Sequence, residues 1–132
     1  MVDASVVLAI LLNEPDAGHF AAILEGRDGV ISPVNYWEIL AKSHSDSGPA
    51  GAARAQELMD RLGLRVATIS ADDARLAYDA FARFGKGEGG PLNLGDCFAY
   101  ALAQIEGDGL LFKGDDFPKT DVKSALAGIQ IS

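Results

Sequence analysis

The sequence predicts an α/β domain in which helices cover a mostly parallel sheet. Short apolar segments of strand length alternate with helical segments along the chain, an order that favours parallel strands joined by crossover helices. The 132 residues suit one domain spanning 1–132, and 48% hydrophobic with 23% charged residues is typical of a globular protein. The 15 glycines mark segment ends and form no low-complexity tract.

In the N-terminal half, helix-capping and helix-breaking residues predict where the elements begin and end. Ser5 is expected to cap the first helix, and residues 13–15 (Asn-Glu-Pro) to end it. Ser32 followed by Pro33 is a strong helix start, because serine suits the cap and proline the first turn. A polar loop is expected at 43–48. The predicted elements are strand 1–2, helices 6–12 and 16–25, strand 29–31, a helix from 33 to the polar loop, and helix 49–62.

In the C-terminal half, similar signals predict two further helices. Ser70 and Asp73 form a capping-box pattern that starts a helix ending at residue 84. The glycine-rich segment 85–91 is expected to be a flexible loop within the domain. Asp96 opens the next helix, where the positive end of the helix dipole favours an ionised carboxylate. The predicted elements are strand 64–69, helices 71–84 and 96–106, and strands 110–112 and 128–131.

Four acidic residues stand beside predicted strand ends or helix starts, and they predict a metal site. They are Asp3, Glu38, Asp96 and Asp116. Helical spacing is expected to point Glu38 inward beside Trp37. Because the carboxyl ends of parallel strands meet at one edge of a sheet, these side chains are expected to converge there. Grouped carboxylates repel unless a cation lies among them, and oxygen ligands suit Mg²⁺ or Mn²⁺. The pattern therefore indicates a metal-dependent enzyme acting on phosphate esters.

Composition limits the partners and the location of the chain. The net charge of −8 argues against a protein that simply coats nucleic acid, which would be basic. The longest apolar run, 6–12, is too short to span a bilayer, and no basic segment precedes it, so neither a membrane partner nor a signal peptide is expected. The single Cys97 allows no internal disulfide and fits a reducing cytoplasm.

The chain resembles a known family through blocks that follow one another over its whole length. They are Val-Asp-Ala-Ser at 2–5, Glu38 in the third helix, Leu-Asn-Leu-Gly-Asp-Cys-Phe-Ala-Tyr-Ala-Leu-Ala at 92–103 and Leu-Leu-Phe-Lys-Gly-Asp-Asp-Phe-Pro-Lys-Thr-Asp at 110–121. These blocks resemble PIN-domain ribonucleases and, more narrowly, the VapC toxins of bacterial type II toxin–antitoxin modules. The resemblance implies a three-layer α/β/α domain with a central mostly parallel sheet.

The same resemblance implies an activity and its partners. It implies a toxin-type endoribonuclease that hydrolyses RNA phosphodiester bonds with Mg²⁺ or Mn²⁺ and leaves 5′-phosphate and 3′-hydroxyl ends. It also implies inhibition by a cognate VapB-type antitoxin, and a homodimer. Two alternatives stay open: a catalytically weak or inactive PIN-like binding module, and a receiver-like signalling domain with an acidic pocket. The receiver pattern fits less well, because Asp3 has no acidic neighbour.

Carried over by position, the resemblance assigns a role to each site residue. The acidic quartet of catalytic residues and metal ligands corresponds to Asp3, Glu38, Asp96 and Asp116. Asp115 makes the fourth position ambiguous, and the spacing to Phe117 favours Asp116. The remaining assignments are Ser5 as support for the first aspartate, and Thr120 and Asp121 as the Thr-Asp pair near the site. Apart from this carry-over, Lys86, Lys113 and Lys119 are the nearest candidates for contacts with RNA phosphates.

Overall fold

The structure, a computed structural model, describes residues 1–125, and within them five α-helices surround a narrow parallel sheet. The strand predicted at 128–131 lies outside the described residues, and the single domain over 1–132 stays a prediction. The helices are α1 (Ala4–Leu11), α2 (Ala17–Leu24), α3 (Pro33–Arg61), α4 (Ala71–Phe84) and α5 (Leu94–Glu106); the strands are β1 (Val30–Ile31) and β2 (Arg65–Val66), and Phe117–Lys119 form a 3₁₀ turn.

Parallel pairings extend the two strands into a wider sheet. β1 pairs in parallel with β2. On the other side of β1, the amide of Val2 donates to the carbonyl of Val30 over 2.8 Å. Val2 also forms a parallel bridge with Leu111, and Leu110 forms one with Ser124. The order across the sheet is therefore β2, β1, Val2, 110–111 and Ser124, which confirms the prediction of parallel strands, although the strands are shorter than predicted.

The sheet separates two hydrophobic cores, because successive strand residues point to opposite faces. One core contains Met1, Val30 and Leu110 together with residues of α4 and α5. The other contains Val2, Ile31 and Leu111 together with residues of α1, α2 and α3. Helices on both faces of a parallel sheet give the three-layer α/β/α arrangement that was predicted.

Helix α1 begins earlier than predicted, because its cap is a different residue. Asp3, in extended backbone, accepts a hydrogen bond from the amide of Ser5 over 3.0 Å, so the helix starts at Ala4. The prediction that Ser5 is the cap is therefore wrong. Aspartate is as good a cap as serine, and the local pattern does not separate the two. The same holds for α5, which begins at Leu94 because Asn93 is its cap.

Helix α3 is longer than predicted and has a kink where a loop was expected. It spans 29 residues, and only Ser47 and Gly48 leave the helical conformation. The predicted loop at 43–48 is thus largely helical, and Gly48 supplies the turn with a φ of 69°. No helix within residues 1–125 combines the length and the apolar character required to cross a membrane.

The same substitution is expected to have opposite effects at two helical glycines, Gly51 beside the kink of α3 and Gly18 in α2. Gly51→Ala is expected to lower the free energy of unfolding by about 1–3 kcal/mol, because its methyl group would meet the backbone carbonyl of Ser43 and lie 2.7 Å from the Cβ of Ser47. Gly18→Ala in α2 meets nothing within 4 Å and should raise it by about 0.5–1 kcal/mol through helix propensity. Urea unfolding of both variants measures the difference, and stabilisation by Gly51→Ala would contradict the kinked geometry.

Candidate metal centre

The candidate site lies where the central strands end and the following helices begin. Asp3 directly follows the central strand residue Val2, and its amide donates to the carbonyl of Leu111 over 2.9 Å. The hydroxyl of Ser5 accepts from the amide of Lys113 over 3.0 Å, which joins the start of α1 to the end of the neighbouring strand. The first turn of α1 is therefore tied to the end of the neighbouring strand, and the role of Ser5 as support for Asp3 stays a prediction.

Asp3 is a buried carboxylate with one oxygen left without a partner. The residue is 4% exposed. Its Oδ2 accepts from the amide of Ser5, whereas its Oδ1 is buried and has no hydrogen-bond partner. Burial raises the pKa of Asp3 despite the hydrogen bonds from Ser5, and the charge of Asp116 raises it further. A buried oxygen without a donor is costly, so this position suits a bound cation.

A buried amide holds the carboxylate of Glu38. Asn35, 1% exposed, donates from Nδ2 to Glu38 Oε1 over 3.0 Å and to the carbonyl of Gly95 over 3.2 Å. The hydroxyl of Ser32 donates to Asn35 Oδ1 over 2.6 Å, which fixes the amide in this orientation. Glu38 therefore faces the start of α5.

The inward face of α3 differs from the predicted one. Trp37 is 67% exposed, so the prediction that it lies inward beside Glu38 is wrong. The face that points inward contains Asn35 and Ile39, which are 1% and 0% exposed. Asn35, Glu38 and Ile39 share a face at helical spacing, whereas Trp37 lies on the opposite side.

Asp96 lies in the first turn of α5 and belongs to a capping box. Its amide donates to Asn93 Oδ1 over 2.9 Å, and its Oδ2 accepts from the amide of Asn93 over 3.0 Å. Burial raises the pKa of Asp96 to about 6; the charges of Asp3 and Asp116 raise it as well, and the bond from Asn93 and the charge of Lys86 lower it. Burial likewise raises the pKa of Glu38, followed by the charges of Asp3 and Asp96.

The four predicted acids therefore share one electrostatic environment. Each of Asp3, Glu38 and Asp96 has its pKa raised by at least one other member of the quartet, and Asp116 acts on Asp3 and Asp96. Within residues 1–125, no three Asp, Glu, His or Cys side chains already stand around one point as metal ligands would. The partnerless Oδ1 of Asp3 and the all-carboxylate donor set fit a hard divalent cation.

Asp121 lies in a polar network of its own, and Thr120 makes local hydrogen bonds beside it. Asp121 accepts a short hydrogen bond from the Tyr100 hydroxyl and pairs with Arg83, with 2.9 Å between Oδ2 and Nη2. The bonds from Tyr100 and Arg83 lower the pKa of Asp121. Thr120 Oγ1 donates to the carbonyl of Phe117 over 2.7 Å. Asp121 therefore links the chain after Asp116 to α4 and α5, whereas the bonds of Thr120 are local; neither residue is bonded to one of the four predicted ligands among the described residues.

The three lysines predicted to contact RNA have different surroundings. Lys113 Nζ lies 3.2 Å from Glu14 Oε2 and 2.9 Å from Asp16 Oδ1, so two carboxylates already neutralise it. Lys86 is near enough to Asp96 to lower the pKa of that carboxyl. Lys119 is exposed in the 3₁₀ turn. Of these three lysines, Lys86 is thus the one whose charge acts on a member of the acidic quartet.

Sequence reasoning missed two residues of this site, Asn35 and Gly95. Asn35 stands three residues after the cap Ser32 and three before Glu38, a spacing that places all three near one helix face. That spacing was a usable signal. Gly95 has no comparable signal, because its role depends on contact between α3 and α5.

Comparison with known proteins gives matches over most of the chain. A family model of the PIN domain matches residues 1–123. Ribonuclease VapC42 of Mycobacterium tuberculosis is 39% identical over 128 residues, covering 95% of this chain and 98% of the relative. Ribonuclease VapC30 of the same species is 36% identical over 124 residues, covering 92% and 95%.

A solved structure agrees with these matches at the level of the fold. The crystal structure of Mycobacterium tuberculosis VapC20, described as a toxin that cleaves the sarcin–ricin loop, aligns with a TM-score of 0.74 over 92% of this chain and 94% of that one. Its sequence identity is 16%, so this likeness shows a common fold alone. The chain therefore belongs to the PIN domain family, among the relatives of the VapC ribonucleases.

Proposed function

We propose that this chain is a toxin-type endoribonuclease that hydrolyses RNA phosphodiester bonds with the help of Mg²⁺ or Mn²⁺. The observation that carries the proposal is the buried Oδ1 of Asp3, which lacks a hydrogen-bond partner and lies in the field of further carboxylates. Relatives that are 36–39% identical and named ribonuclease support the reaction class. The receiver-like alternative is set aside, because the chain belongs to the PIN family.

In this proposal Asp3, Glu38, Asp96 and Asp116 hold the cation. When bound, a divalent ion supplies the positive charge that activates a water and stabilises the charge developing on the phosphodiester. Asp3 offers its free oxygen from a fixed position. Asp116 is exposed and makes no capping hydrogen bond, so its side chain is able to turn toward a ligand.

Glu38 and Lys86 have further roles in the proposal. Glu38 accepts the proton of the attacking water, because its pKa is raised by burial and its carboxylate is held by Asn35. Asp116 is the second candidate for that role. Lys86 holds an RNA phosphate at the rim of the site. Lys113 is less suited to phosphate contact, because its ammonium group is already paired with Glu14 and Asp16.

The proposal includes partners and a location. A cognate VapB-type antitoxin inhibits the enzyme, two copies form a homodimer, and the complex is cytoplasmic. Support comes from the VapC names of the relatives and from the toxin description of the structural neighbour, both of which concern those proteins.

The purified chain is expected to cleave RNA in the presence of Mn²⁺ or Mg²⁺ and to stop when EDTA is added. Adding excess Mn²⁺ back should restore the rate fully, because EDTA removes the ion and leaves the carboxylates that hold it unchanged. Gel analysis of total bacterial RNA and mapping of the ends measure the reaction. Cleavage by the chain that persists in EDTA contradicts the proposed metal dependence. A chain that binds Mn²⁺ but leaves RNA intact contradicts the proposal and favours the inactive binding module.

A further inference from the structure

We propose that Gly95 and Asn35 are positioning residues that place the carboxylate of Glu38 as a metal ligand beside Asp96. The inference rests on the proposed function and deepens it, because it names residues outside the acidic quartet on which the cation site depends. It requires that residue 95 has no side chain, and that residue 35 presents an amide N–H to Glu38.

The first observation is the close approach of Glu38 to Gly95. A methyl group added at Gly95 would lie 2.6 Å from Glu38 Oε2 and even nearer to Oε1 and Cδ, so its three nearest neighbours all belong to that one carboxylate. The carboxylate therefore occupies the space that any other residue at 95 would fill. Since Asp96 is the next residue along α5, the missing side chain brings Glu38 directly against the start of that helix.

The second observation is a pair of hydrogen bonds that the side-chain amide of Asn35 donates. Its Nδ2 donates both to Glu38 Oε1, over 3.0 Å, and to the carbonyl of Gly95, over 3.2 Å. The side-chain amide cannot flip without losing a further hydrogen bond, because its Oδ1 accepts from the Ser32 hydroxyl over 2.6 Å. Asn35 thus joins the glutamate to the same glycine from which a side chain is missing, and it does so from a fully buried position.

The third observation concerns helix stability. Gly95 lies in the first turn of α5, it is buried, and its backbone does not have a positive φ. Glycine weakens a helix relative to alanine, and alanine is allowed at this backbone conformation. The helix therefore does not require glycine here, whereas the position of the Glu38 carboxylate does.

The test measures Mn²⁺ affinity without RNA, by electron paramagnetic resonance of free Mn²⁺, alongside thermal unfolding. Gly95→Ala is expected to keep the fold, since only the end of a flexible side chain must move, and to weaken Mn²⁺ binding about 10-fold or more. Asn35→Asp, which has the same shape, should weaken binding similarly, because it sets a carboxylate oxygen against Glu38. Gly18→Ala, with open space around it, is the matched control and should bind Mn²⁺ as the unaltered chain does.

A double-mutant cycle shows whether Gly95 acts through Glu38. In a Glu38→Ala background, Gly95→Ala should change the Mn²⁺ affinity by less than about twofold, because the clashing carboxylate is gone. An unchanged affinity in the single Gly95→Ala variant, or an equal loss in both backgrounds, overturns the inference.

The two readouts separate this inference from the proposed function. If Mn²⁺ affinity follows the expected pattern but RNA is not cleaved, the positioning role stands and the ribonuclease proposal fails. If the unaltered chain cleaves RNA and Gly95→Ala binds Mn²⁺ equally well, the positioning role alone fails. If the unaltered chain binds no Mn²⁺, the inference is overturned together with the metal dependence.

Discussion

Asp3→Asn is expected to lower metal-dependent RNA cleavage by about 100-fold or more while leaving the fold intact. Asparagine is an equally good helix cap, so its oxygen should still accept the hydrogen bond from the amide of Ser5. Its NH₂ group would then occupy the place of the partnerless Oδ1 and point a donor at the cation. Initial rates in Mn²⁺, measured beside thermal unfolding, test the prediction.

The control for Asp3→Asn is another aspartate changed in the same way. Asp79 is exposed on α4 and belongs to no part of the proposed site. Asp79→Asn should keep the full rate. The melting temperature of Asp3→Asn at neutral pH should equal or exceed that of the unaltered chain, because a buried negative charge has been removed. Retained cleavage by Asp3→Asn would remove Asp3 from the proposed catalytic group.

The metal-free protein is expected to lose stability as the pH rises from about 4 to 7, and Mn²⁺ is expected to restore it. Folding raises the pKa of Asp3, Glu38 and Asp96, the last from 3.8 to about 6. The folded state therefore holds these protons more tightly than the unfolded chain does. The contribution of Asp96 to stability is therefore fully present below about pH 4 and is lost as the pH rises through about 6, and the contributions of Asp3 and Glu38 change in the same direction.

The loss of stability with rising pH and the stabilisation by Mn²⁺ differ in size, and unfolding experiments can measure both. After allowance for solvent screening, Asp96 is expected to contribute about 1 kcal/mol to the loss of stability. Mn²⁺ at 100 times its Kd should add about 2.7 kcal/mol at pH 7 and much less at pH 5, where protons compete for the carboxylates. Urea unfolding with Mn²⁺ and with EDTA, repeated across this pH range, measures each effect.

The variant that isolates the contribution of Asp96 is Asp96→Asn. It keeps an oxygen for the capping box and should reduce the pH dependence between pH 5 and 7 while weakening the stabilisation by Mn²⁺. Asp121 has the opposite shift, since hydrogen bonds lower its pKa, and its contribution is lost below about pH 4, outside this window. A stability that rises between pH 5 and 7 in EDTA, or an unchanged response to Mn²⁺ in Asp96→Asn, would contradict the shared carboxylate environment.

The parallel sheet was predictable because it depends on chain order, whereas the convergence of the four acids into one ligand group stays a prediction. Strands that alternate with helices must run in the same direction, and the residues that follow such strands meet at one edge. The structure confirms the three-layer fold and places Asp3, Glu38, Asp96 and Asp116 within one electrostatic environment. Their roles as ligands stay predictions, as do those of Ser5, Thr120, Asp121 and the lysines.

Local signals were ambiguous where two residues satisfy the same requirement. Asp3 and Ser5 are both good helix caps, and only the pairing of Val2 in the sheet ends the strand early enough for Asp3 to take that role. The polar segment 43–48 resembles a loop in composition, yet it is largely helical up to the kink at Ser47 and Gly48, before Pro49 continues the helix. Trp37 faces outward because Asn35 and Ile39 occupy the inward face.

By itself the sequence determined the order of strands and helices, the family resemblance and the four acids, since these follow from neighbouring residues or from their position along the chain. Only the tertiary structure decided how the acids are held. Asn35 and Gly95 lie 60 residues apart, and the hydrogen bond between them exists because α3 and α5 meet across the end of the sheet. The absence of a side chain at Gly95 matters because Glu38 fills the space, and no pattern of neighbouring residues predicts such a contact.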